Sequence, residues 1–259
     1  MTPTSTTQID AVIIELDAAV SAACERRDRL GFFAALYRQT TRAVRDQTAS
    51  GRFDDAERMG RFVTRFAARY TCPLDAWLGG RPVPRSWRVA NGAAGRGDKV
   101  ILQHLLLGIN AHINLDLAVA AAEVCPGAEI VTLHDDFMRI NAVLGSLMPR
   151  VRTCIGRFSP LLDVIDRVGG ADDDEVLNFS INVARDEAWS AARSLASIDD
   201  DLRRAEFFDS LDRRVAVLGK VVANPGGLLQ RAVDVVAATE SDNVVKVIDA
   251  LGRVTLPPP

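Results

Sequence analysis

Apolar residues recur at three- and four-residue spacing through most of the chain, and no apolar–polar alternation persists long enough for a sheet. Ile9, Val12, Ile13, Leu16 and Val20 share one face of a helix predicted from Ile9 to Arg27. Phe32 to Ser50 follows, with Phe33, Leu36, Tyr37, Thr40 and Val44 inward and Gly51 as its stop. Acidic residues at Asp54, Asp55 and Glu57 suit the first turn of a third helix reaching Tyr70. Pro73 is expected to open a short helix, Leu74 to Leu78. Prolines 82 and 84 and glycines 92, 95 and 97 make 79–97 a loop with one turn around Trp87 to Ala93. A loop of this length in a compact domain is often a functional lid or mouth.

Asp98 then caps a helix running to Val124, where Pro126 and Gly127 stop it. A partner helix is predicted from near Ala128 to Phe158, with a flaw at Pro149, and Pro160 reopens a helix through Val168. Gly169 to Asp174 reads as a loop ending in a solvated cap, and helices over Glu175–Ala196, Asp199–Val222 and Leu228–Leu251 complete the chain. The expectation is an all-α fold: one compact multi-helix bundle of about eight to ten helices over residues 9–251, around a buried central helix near 98–124. Residues 1–8 and the Pro-rich 252–259 are expected to be disordered.

The central helix concentrates the chemistry. On a helical wheel Leu and Ile point in nearly every direction, so it is buried all round. Yet it carries six polar residues. Gln103, Asn110 and Asn114 form one stripe; His104, His112 and Asp116 form another on the opposite side, with Gly108 between. An unpartnered buried amide or imidazole costs about 1–3 kcal/mol, so these groups need partners. His112 and Asp116, four apart, can share a hydrogen bond or a metal ion. His104 lies about 12 Å further back and cannot join them easily. If the next helix folds back antiparallel from Pro126-Gly127, Asp136, Arg139 and Asn141 meet His112, Asn114 and Asp116 in one layer. That layer would suit a divalent metal on His112 and Asp116. It would equally suit metal-free acid/base chemistry, or simply fix packing.

Composition trims the options. Net charge is only -3 with both signs interspersed, which argues against a nucleic-acid partner. Cys24, Cys72, Cys125 and Cys154 form no CxxC pair and read as thiols in a reducing cytoplasm. No secretory signal is expected, and polar residues interrupt the longest apolar run, so no membrane span is expected either. Asn178, Asn182, Arg185 and Trp189 share a face that would give the pocket a second wall, with Arg185 as an anion clamp, or a salt bridge beside a packed indole. Tyr37, Tyr70 and Trp87-Arg88 read individually as packing or surface.

Gln103-His104-Leu105-Leu106-Leu107-Gly108-Ile109-Asn110-Ala111-His112-Ile113-Asn114-Leu115-Asp116-Leu117 resembles an uncharacterised, all-helical bacterial family of unknown function. Arg85-Ser86-Trp87, Ile140 to Leu144, Ala184 to Trp189 and Leu211 to Val215 carry the same resemblance, which spans roughly residues 30–230. It implies a shared pattern including His104, Asn110, His112, Asn114, Asp116, Asp136 and Arg185, and no established activity. His112-Ile113-Asn114-Leu115-Asp116 also matches the HxxxD spacing of helical zinc phospholipases C and nucleases, but three histidines are too few for their trinuclear site.

The sequence therefore points to an enzyme, of hydrolase or cyclase type, acting on a partly apolar small molecule. Its catalytic residues would be His112, Asp116, His104 and Asp136. Asn110, Asn114, Gln103, Arg139, Asn141, Arg185 and Trp87 would bind substrate, and the cofactor, if any, would be a divalent metal. The alternative is a non-catalytic ligand- or partner-binding protein whose polar layer is structural. Oligomeric state stays open.

Overall fold

A computed structural model describes residues 4–169 and 186–255, and among these every regular element is helical. In order they are α1 (Ser5–Arg26), α2 (Leu30–Ala49), α3 (Ala56–Leu78), α4 (Arg85–Ala94), α5 (Ile101–Ala111), a π-helical turn (His112–Asp116), α6 (Leu117–Val124), a 3₁₀ segment (Gly127–Leu133), α7 (His134–Gly156), α8 (Leu162–Gly169), α9 (described over 186–196), α10 (Asp201–Ala223), α11 (Gly227–Ala237) and α12 (Val244–Leu251). The body is all-α and built around the α5–π–α6 rod. That rod packs against α2, α3, α4 and α10. At 24 residues, Ile101–Val124 is long and apolar enough to cross a membrane, but 78% of its apolar window is buried among the other helices.

Several boundaries differ from expectation. α3 runs through Pro73 and α7 through Pro149 without a break. Burial continues across each proline, through Tyr70, Thr71 and Leu74 in one and Leu147, Met148 and Val151 in the other, so packing overrides the lost backbone bond. The rod starts at Ile101 rather than after Asp98, which is exposed. The C-terminal helix is two: Thr239 to Asn243 is too polar to bury, and the Asn243 side chain caps α12 by accepting from Lys246 N. Cys72 is exposed, whereas Cys125 and Cys154 are buried. The predicted loop and cap at Gly170 to Asp174 lie outside the described residues, as do Met1–Pro3 and Leu256–Pro259.

Three helix N-termini are closed by carboxylates from elsewhere in the chain. Asp136 of α7 accepts from Asp54 N at 2.8 Å and Asp55 N at 3.3 Å, ahead of α3. Asp212 of α10 accepts from Arg85 N at 2.7 Å and from Ser86 N and Oγ at 2.9 and 2.8 Å, opening α4. Glu240 accepts from Ile101 N at 2.7 Å, opening α5, and from the Ser159 hydroxyl. Each satisfies orphan N–H groups and places negative charge at the positive end of a helix dipole. The segment expected to be mostly loop is therefore a ten-residue helix pinned to α10.

The predicted antiparallel hairpin does not form. Seven residues of 3₁₀ helix intervene, and α7 packs on α2 and α12 instead of lying along α5.

One close approach fixes α2 on the rod. A Cβ at Gly108 would lie 2.9 Å from Phe33 Cβ, and nearer still to the ring carbons Cγ and Cδ2. Gly108→Ala gains about 1 kcal/mol of helix propensity but must displace the base of a packed ring, costing about 1–3 kcal/mol. The variant is expected to be less stable than wild type by urea unfolding; a stabilised Gly108→Ala protein would contradict this contact.

Candidate functional site

His112 sits where the rod widens into a π turn, with Leu117 N bonding back five residues to the His112 carbonyl. Such single-turn bulges recur at functional sites, and this one rotates everything beyond it by about one residue on the wheel. His112 and Asp116 are both buried, with His112 Nδ1 3.0 Å from Asp116 Oδ2. Trp87 Nε1 donates to the same oxygen at 3.0 Å. Trp87 thus orients the carboxylate through its N–H, while its ring bounds the smaller space described below. The relay is continuous: Asp212 pins α4, α4 delivers Trp87, Trp87 and His112 share Asp116.

Around the imidazole stands an aromatic cage. Phe66 stacks on it at 3.7 Å between centroids and 9° between planes, and Tyr37 meets it edge-on at 4.3 Å. Phe33, Tyr70 and Trp87 complete the ring of neighbours at 5.7–6.2 Å. Burial pushes the His112 imidazole well below its ordinary pKa and the Asp116 carboxyl well above its own, with the Trp87 N–H opposing the latter. The pair therefore favours its uncharged forms, one proton lying between Nδ1 and Oδ2. Among the described residues, His112 Nε2 has no hydrogen-bond partner.

His112 is a wall of a cavity of about 60 Å³. Leu36, Phe62, Phe66, Ile140, Leu144 and Met148 supply most of its apolar lining. Tyr37 also faces it. Burial raises the Tyr37 phenol well above its usual range, with the neighbouring Thr41 hydroxyl, which donates to the Tyr37 carbonyl, opposing it. A second, smaller space of about 20 Å³ lies beyond Phe33, bounded by Arg29, Tyr70, Trp87, Asn91 and His104. Burial and then the Arg29 charge lower His104 to about 4.

The opposite stripe is spent on packing. Gln103 Nε2 donates to the Val222 and Ala223 carbonyls at 2.8 and 3.2 Å, Asn110 Nδ2 to the Val215 carbonyl at 2.9 Å, and Asn114 Nδ2 to Asn110 Oδ1 at 2.9 Å. Of the amides expected to bind substrate, Gln103 and Asn110 bond α10, while Asn114 bonds Asn110 and lines an open space against α9 and α10. Gly219 lets α10 approach, since a Cβ there would lie 3.2 Å from Asn110 Nδ2.

Asp136 and Arg139 do not reach His112. Asp136 is fully buried in its own cluster with Arg58 at 2.9 Å and Arg139 at 2.7 Å. Burial alone would raise the Asp136 carboxyl; the Asp54 N–H, Arg58, Arg139 and the Asp55 N–H outweigh it and hold it below the usual range. His134 is exposed beside Asp135. Arg185, Asn178 and Asn182 lie outside the described residues, as does the Asn141 side chain. Among the described residues no three His, Cys, Asp or Glu side chains gather closely enough to hold a metal. Asp116 Oδ2 faces both Trp87 Nε1 and His112 Nδ1. The aromatic cage is not evident as a unit in the sequence, although Phe33/Tyr37 and Phe62/Phe66/Tyr70 repeat at four-residue spacing.

Residues 9–225 match a family of unknown function, DUF5995. The chain belongs to this family. No curated protein and no solved structure matches it. The DUF5995 match covers α1 through α10, so it takes in the rod, both cavities, Trp87 and Asp212.

Two outcomes follow. Trp87→Phe removes the indole donor from a buried carboxyl and is expected to cost about 1–3 kcal/mol by urea unfolding. Its failure to destabilise would mean Asp116 does not depend on the indole. His104 is neutral in the fold down to about 4, against 6.5 ordinarily. The unfolded state binds the extra proton first, so stability falls as pH drops from 6.5 towards 4, at up to about 1.4 kcal/mol per pH unit from this group. Unfolding free energies measured across that window should fall more steeply in wild type than in His104→Leu; equal slopes would refute a neutral buried His104.

Proposed function

We propose that this protein is an enzyme that moves a proton on a compact, largely apolar small molecule, with His112 as the transferring group and Asp116 as its partner. The observation that carries this is that His112 lines a cavity with one ring nitrogen fixed by a buried carboxyl and the other, Nε2, without a partner among the described residues. Nε2 gives or takes a proton while the Nδ1–Oδ2 proton shifts to offset the charge. That lets one group act as acid in one direction and base in the other. The Tyr37 hydroxyl, held as a neutral phenol, offers a second donor on the same cavity. Cavity size limits the substrate. About 60 Å³ is less than the roughly 150 Å³ that takes benzene, so a ligand of that size must push back the wall. Met148 and Leu144 are the side chains best able to yield.

A second reading has its own support. The Gln103, Asn110 and Asn114 stripe is already paired. If the His112 stripe serves packing in the same way, the protein binds a ligand or partner without catalysis. Deuterium wash-in from ²H₂O at carbon in a panel of small apolar ketones, aldehydes and hydroxyketones separates the two, because exchange reports proton transfer whichever member is turned over. Wild type is expected to exchange at least one member of such a panel. His112→Gln and Asp116→Asn should each lower that rate by about 10²–10⁴-fold while remaining folded. No exchange by any member, with both variants merely less stable, would favour the non-catalytic reading.

A further inference from the structure

The smaller chamber beyond Phe33 has a chemistry that the larger cavity lacks. Three of its lining side chains, Tyr70, Asn91 and His104, are at most 6% exposed, and each carries a polar atom with no partner among the described residues: Tyr70 Oη, Asn91 Nδ2 and His104 Nε2. A buried polar atom left unpaired is destabilising, so three around one space are a costly arrangement unless something engages them. The space is about 20 Å³, against about 10–15 Å³ for one water-sized oxygen. It therefore admits one oxygen atom and little more.

The donor and acceptor set narrows the ligand further. The Lys99 backbone engages the His104 ring, which leaves Nε2 of this lining residue as an acceptor in the neutral tautomer. Asn91 Nδ2 donates, and the Tyr70 hydroxyl does either. This set matches an uncharged oxygen that both gives and accepts a hydrogen bond. Arg29 at the rim would favour an anion, but an anion would have to lie against the His104 lone pair.

The chamber also has a place in the larger site. Phe33 lines both spaces, and α2 supplies a wall to each: Arg29, Leu30 and Phe33 to one, then Phe33, Leu36, Tyr37, Thr40, Thr41 and Val44 to the other. We propose that Tyr70, Asn91 and His104 form the hydroxyl-binding end of the substrate site, so that the substrate is a compact apolar alcohol or phenol whose body lies beside His112. This rests on the larger cavity being a ligand site, as argued above. Water could engage the same three atoms through the same chemistry, and the test separates the two sources.

The chain has three histidines, so ¹⁵N-histidine labelling of the full-length protein gives three assignable imidazoles. Benzene and phenol differ by one hydroxyl. Benzene is expected to shift His112 alone; phenol is expected to shift His112 and His104 and to bind about five- to tenfold more tightly, the range of one hydrogen-bonded hydroxyl. Asn91→Ala should reduce phenol to the affinity of benzene and leave benzene unchanged. If both probes shift only His112, the hydroxyl subsite is wrong while the larger pocket stands. A persistent water contact at His104 that phenol does not displace would assign the chamber to water, and a His104 shift with sodium formate but not phenol would assign it to an anion; either overturns the proposal. If neither probe moves His112, the larger cavity is not a ligand site and both readings fall.

Discussion

A carboxyl that is 2% exposed on a helix buried all round is the constraint on which this structure turns. Asp116 can be there only because an indole N–H and an imidazole nitrogen converge on one of its oxygens. The indole in turn needs α4 to be a helix at a fixed place, although its flanks hold two prolines and several glycines. Asp212, reaching across from α10, supplies that: it takes up both leading N–H groups of α4 and the Ser86 hydroxyl. A buried acidic residue on one helix thus depends on another, roughly a hundred residues away, through a tryptophan that looks in the sequence like part of a loop.

The same device recurs with Asp136 and Glu240, each closing a helix N-terminus from a distant element. This explains why acidic residues on apolar helices are poor guides to catalysis in this chain. Asp136 has the burial and the arginine neighbours of an active-site carboxylate, but its hydrogen bonds are full. Two backbone N–H groups, Arg58 and Arg139 account for its lowered pKa without any ligand. His112 and Asp116 differ in kind: burial drives both towards neutrality, and one imidazole nitrogen keeps its capacity unspent.

How far the sequence can be read follows from which interactions are local. The helical class, the buried rod and the His112–Asp116 contact are set by spacing within one helix, and all three are legible. The partners of the two polar stripes are not, because they come from α2, α3, α4 and α10. The fold-back of α7 is misleading because Pro126-Gly127 has the composition of a tight turn. Gly127–Leu133 instead continues as 3₁₀ helix and carries α7 onto α2 and α12. Pro73 and Pro149 mislead in the opposite sense, since buried side chains on both sides of each proline hold the helix together at a cost that local rules count as a break.

The two polar stripes of the rod are an internal comparison. Both lie on the same apolar helix and meet the same cost of burying polar groups. On the α10 side Gln103, Asn110 and Asn114 are paired, and Gly219 is cut back to let the backbone come close enough to pair them. On the α2 and α3 side the neighbours are rings, which stack on His112 without accepting or donating at Nε2. A chain needing only a well-packed rod could have repeated the first solution on the second face. Instead that face surrounds a histidine with phenylalanine and tyrosine, fixes one of its nitrogens, and leaves the other beside a cavity. The asymmetry is what separates the two stripes: one holds the rod to α10, and the other leaves an imidazole nitrogen unpaired among the described residues beside α2.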